Sequence, residues 1–89
     1  MIYDNPNHPH YGPVRRLHLK LMELFPDNLS EVEDEYLNGI GNDWTTITVM
    51  MLERGLSEAY VARYIISRLI GCFDTIFCRA TCNEVSSRA

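Results

Sequence analysis

Three histidines and three cysteines are the side chains of this chain best suited to catalysis or to holding a metal. His8 and His10 flank Pro9, His18 stands apart from them, and Cys72, Cys78 and Cys82 crowd into eleven residues near the end. Structural zinc usually takes compact pairs, two ligands two to four residues apart joined by a second such pair. Cys78 and Cys82 stand alone at i, i+4, and Cys72 falls on another helical face, so the spacing predicts thiols that act as small hydrophobes. A cysteine–histidine nucleophile needs a third group to orient it and donors for an oxyanion, and no residue pattern supplies them. The pair Gly39 and Gly41 lacks the third glycine and the preceding strand of a dinucleotide site. The expectation is a non-enzymatic chain with no catalytic residues, no metal and no cofactor.

Binding chemistry is better represented. Tyr60, Arg63, Tyr64 and Ser67 recur at i, i+3, i+4 and i+7, which places them on one face of a helix. Tyrosine and arginine are the residue types that dominate interface hot spots, so this stripe is the first candidate for contact with a partner. The alternative places the tyrosines in the core with their hydroxyls satisfied and Arg63 paired to an acid. A second candidate is the acidic block of Glu31, Glu33, Asp34 and Glu35, extended by Asp27, Asp43 and Glu53, with no basic residue between positions 21 and 53. Such a block suits docking on a basic surface, or mimicry of phosphates, although a solvated helix face explains it too.

The segment Met51 to Val61 resembles a helix-turn-helix, with Gly55 at the turn. The match is partial, because such motifs usually carry a small residue four positions before the glycine and Met51 stands there. The resemblance implies that Glu58, Ala59 and Arg63 would face the major groove, where Glu58 opposes approach to phosphates.

These residues need elements to position them. Pro6, Pro9 and Pro13 with Asn5, Asn7 and Gly12 predict an irregular arm over 1–13, extended ahead of the first helix. Pro13 suits the first helical position, and Val14, Leu17, Leu21, Leu24 and Phe25 keep helical spacing until Pro26. Ser30 and Glu33 form a capping-box pattern that starts a second helix toward Asn38. The stretch Gly39 to Asp43 reads as a loop, with Asp43 as the next N-cap. Thr45 to Val49 is β-branched enough for a strand, but Trp44, Ile47, Thr48, Met51 and Leu52 share a helical face, which predicts a third helix. Ser57 caps a fourth, with Leu56 and Val61 as a hydrophobic staple and Val61, Ala62, Ile65, Ile66, Leu69 and Ile70 on its apolar face. Gly71 is expected to break it, leaving a fifth helix through Phe73, Ile76, Phe77 and Ala80 and a polar tail over 86–89.

The totals bound what such elements can build. With 89 residues there is room for one domain, here 14–85, which buries only about 60–65% of its unfolded surface. A net charge of −4 argues against binding nucleic acid by phosphate neutralisation alone. That total conceals a split, nine acids against three bases over 1–53 and three acids against five arginines over 54–89, or −6 and +2. No basic region followed by an apolar run opens the chain, and the most apolar stretch, 56–78, is interrupted by Glu58, Arg63, Arg68 and Asp74, so neither a signal peptide nor a membrane span is expected. An odd number of cysteines crowded into eleven residues does not suit a secreted disulfide framework, so the reading is cytoplasmic with reduced thiols. The sequence therefore predicts an all-α compact bundle of four to five short helices with an extended N-terminal arm. Its expected role is that of a protein-binding module, a small adaptor or inhibitor that docks on a host or partner complex, as phage and mobile-element inhibitors do. A homodimer is a second expectation, and a DNA-binding regulator is the alternative, with nucleic acid ranked below protein as a partner.

Overall fold

The computed structural model describes the backbone of residues 4–88 and the side chains of residues 4–79. Four helices follow one another, α1 (Tyr11–Leu24), α2 (Leu29–Ile40), α3 (Trp44–Glu53) and α4 (Glu58–Arg88), with no strand among the described residues. The all-helical expectation holds, but the described part of the arm is not extended. Its backbone closes in successive turns, the His8 amide donating to the Asn5 carbonyl and the Tyr11 amide to the His8 carbonyl, each at 3.0 Å. Residues 1–3 of the arm lie outside the described residues. Helix α1 then starts two residues before Pro13, which sits in the first turn, where the missing amide has no intrahelical partner to lose.

The N-terminus of α2 departs from the capping box. Asn28 occupies the cap position and makes no side-chain cap bond, so Ser30 lies inside the first turn. Glu33 instead accepts a 2.6 Å hydrogen bond from the indole Nε1 of Trp44. That exchange has a clear cause: Trp44 is buried, and an indole N–H without a partner there costs about 1–3 kcal/mol, more than an amide that water can reach at a helix start. At the other end, helix α2 runs through Gly39 and stops at Gly41, whose φ of 85° is the left-handed conformation that closes a C-terminus.

Helix α3 is a helix and not a strand because its three threonines are satisfied locally. The Asp43 carboxylate accepts the Thr46 amide at 3.0 Å and the hydroxyls of both Thr45 and Thr46, while the Thr48 hydroxyl donates to the Trp44 carbonyl at 2.7 Å. Trp44, Thr45 and Thr48 are thereby buried, with Ile47, Met51 and Leu52 packed beside them.

The expected break at Gly71 does not occur, and the proposed fourth and fifth helices are one 31-residue helix. A glycine inside a helix costs about 1 kcal/mol, whereas a break would expose backbone groups on both sides and rotate one half against the other. Continuity keeps Val61, Ile65, Leu69, Cys72 and Ile76 in one stripe against the core. Helix α4 packs most extensively on α2, then on α3. Its buried Val61, Ile65 and Leu69 meet Val14, Leu17 and Leu21 of α1, Val32 and Tyr36 of α2, and Trp44 in a single core, with the Phe25 ring tilted against Phe73 at 5.8 Å between centroids. No described helix is long and apolar enough to cross a membrane.

Candidate partner-binding groove

The corner between α3 and α4 is built by a few backbone bonds. Arg54 ends α3 with its amide shared between the carbonyls of Met50 and Met51, and Gly55 turns the chain at φ 89° while its amide donates to Leu52. The Leu56 amide reaches back to the Met51 carbonyl, and the Ser57 hydroxyl accepts the Tyr60 amide at 3.1 Å, as an N-cap should. This geometry leaves Leu56 exposed rather than folded under the helix start, while Val61 is fully buried.

Met50, Leu56, Tyr60 and Tyr64 consequently surround a shallow groove of about 320 Å³ floored by Ile47 and Met51, with Arg54 on its wall. Tyr60 is 55% exposed and Tyr64 39%, so the tyrosines are not core residues. Arg63 and Ser67 lie on the exposed side of α4 next to them, outside the groove lining. Arg54, Arg63 and Arg68 enter no ion pair among the described residues. Sequence periodicity found the two tyrosines and missed Met50, Arg54 and Leu56, because these belong to another helix and to the turn; the signal available was their position flanking Gly55.

The acidic block is divided by the fold. Glu33 is engaged by Trp44, and Glu35 is ion-paired with Arg79 of α4 at 2.7 Å. Glu31 and Asp34 remain exposed on the outer face of α2. The Glu58 expected to face a DNA groove is paired with Arg16 of α1 at 2.6 Å.

A second cluster joins three helices beneath this surface. The His18 ring of α1 stacks parallel on Trp44, with centroids 6.2 Å apart and planes 8° apart, and Trp44 in turn holds Glu33 of α2. Burial pushes the His18 pKa below 6.5, aided by Arg15 and opposed by the carboxylates of Glu33 and Asp4. Burial also raises the Cys72 thiol, with Glu35 adding to the shift and Arg68 opposing it, which favours the protonated and unreactive form. Cys78 is exposed, and Cys82 lies outside the described side chains. The His8 and His10 rings lie 6.0 Å apart and tilted by 48°, and among the described residues no group of three or more histidines, cysteines or carboxylates is arranged to hold a metal. Compared with known protein families, with curated proteins and with solved structures, the chain matches none.

Proposed function

We propose that this protein is a non-enzymatic binding module, an adaptor or inhibitor that docks on a partner protein through the groove between α3 and α4. The observation that carries the reading is the contiguous exposure of Met50, Leu56, Tyr60 and Tyr64 around one concave surface with Arg54 on its wall. Tyrosine and arginine are enriched in interface hot spots, the tyrosines because they bury much apolar area for little lost conformational freedom, and methionine adapts to the surface it meets. Arg63 and Ser67 extend the contact along α4, and Glu31 and Asp34 contribute a separate negative surface that steers approach.

The test is affinity capture from a nuclease-treated lysate by the tagged chain and by a Tyr60→Ala, Tyr64→Ala double variant, read by mass spectrometry. A protein recovered in stoichiometric yield with the first and lost with the second supports the reading. Equal recovery with both, or no protein recovered above background by either, contradicts it. A helix-turn-helix reading is second, favoured by the left-handed Gly55 between two helices and by an exposed Arg63 on the second. It requires Arg63→Ala to abolish duplex binding that falls steeply with salt, and it ends if no duplex is shifted at low salt.

A further inference from the structure

We infer that the groove between α3 and α4 accepts helix α2 of a second copy of this chain. The inference rests on the same groove as the proposed function, and it names an occupant that the chain itself provides. On α2, Glu31, Asp34 and Leu37 follow one another in steps of three and are all exposed, which makes a surface that is acidic at its start and apolar at its end, while Ile40, half a turn round from Glu31, borders α4 of its own chain. Glu31 and Asp34 enter no ion pair among the described residues. The groove offers the complement, apolar Met50, Leu56 and Tyr64 beside the uncompensated Arg54. The same complementarity is written into the chain as a whole, −6 over residues 1–53 against +2 over 54–89. Helix-in-groove docking uses this combination, here Leu37 as the apolar anchor for affinity and flanking charge for register.

Size constrains the arrangement. A helix of 12 residues is about 18 Å long and about 10 Å across, so a single contact falls well short of the roughly 800 Å² per partner in a stable interface. A two-fold dimer makes the contact twice, with the α2 surface and the groove of each copy both in use. It is therefore the arrangement expected, with modest affinity.

Sedimentation of the purified full chain, from micromolar to millimolar concentration, tests this with paired charge reversals. The wild-type chain should dimerise; Arg54→Glu and Asp34→Arg should each weaken dimerisation about tenfold or more, and combining them should restore it. Circular dichroism confirms that each variant is folded, and Leu37→Glu is an independent disruptor should either reversal fail to fold. A wild-type chain that stays monomeric at millimolar concentration overturns the inference, as does a dimer indifferent to the single reversals and to Leu37→Glu, or one not restored by the double reversal. Because this experiment needs no other protein, a monomeric result leaves the proposed function standing, and failure of affinity capture leaves the dimer to be judged alone.

Discussion

Asp43 does more for this structure than its position in a short connection suggests. Burial would raise its carboxyl pKa, but hydrogen bonds from Thr45 and Thr46 outweigh burial and hold it below 3.8. Asp43→Ala removes the N-cap of α3 and leaves the buried Thr45 hydroxyl without its acceptor. Loss of such a cap costs about 1–2 kcal/mol, and thermal unfolding should show it as a fall of about 4–8 °C per kcal/mol. His18 gives the second prediction. Its folded pKa lies below 6.5, so the unfolded chain binds the proton more readily. Stability from this group is therefore complete above pH 6.5 and lost as pH falls from there through the folded value. Urea titrations at about pH 7.5 and about pH 5 should show that loss, and it should shrink in His18→Gln. An equal loss in that variant would assign the effect to other groups.

At the scale of elements, the two internal glycines of the α3 to α4 region make opposite predictions. Gly71 lies inside α4, and a Cβ there meets nothing within 4 Å, so Gly71→Ala should stabilise by about 0.5–1 kcal/mol. Gly55 has equal space but a φ of 89°, so Gly55→Ala should destabilise by about 1–2 kcal/mol. Denaturant midpoints for the two variants, moving in opposite directions, are the check. The same contrast explains what the sequence could announce. Asp43, Ser57 and Gly55 were legible because capping and turning depend on groups within three residues. Ser30 with Glu33 presents an equally local pattern, yet Glu33 is claimed by Trp44 eleven positions away, a competition visible only in three dimensions. Gly71 misled because its local cost is small beside the packing that keeps Leu69, Cys72 and Ile76 in one stripe. The groove was half legible: periodicity places Tyr60 and Tyr64 together, but only the corner brings Met50, Arg54 and Leu56 beside them.

At the scale of the fold, three short helices bury one stripe of α4 and leave its other sides to solvent, where Tyr60 and Tyr64 collect with Arg63 and Arg68, which enter no ion pair among the described residues, beside an acidic outer face on α2. Surface ion pairs such as Arg16 with Glu58 contribute little to holding this together, since both side chains are well exposed. The core does that work, through Trp44, Leu21, Ile65 and Leu69. The proposed binding surface is thus separable from the fold. Tyr64 is the residue on which that separation is sharpest, because it lines the groove and lies one helical turn from buried Val61 and next to Ile65. The decisive measurement is thermal unfolding of Tyr64→Ala alongside its affinity for the captured partner. The account predicts a melting temperature within a few degrees of wild type and binding weakened at least about tenfold, the loss of a hot spot. A variant that melts far lower while binding the partner as tightly as wild type would contradict it, placing Tyr64 in the core and the interface elsewhere.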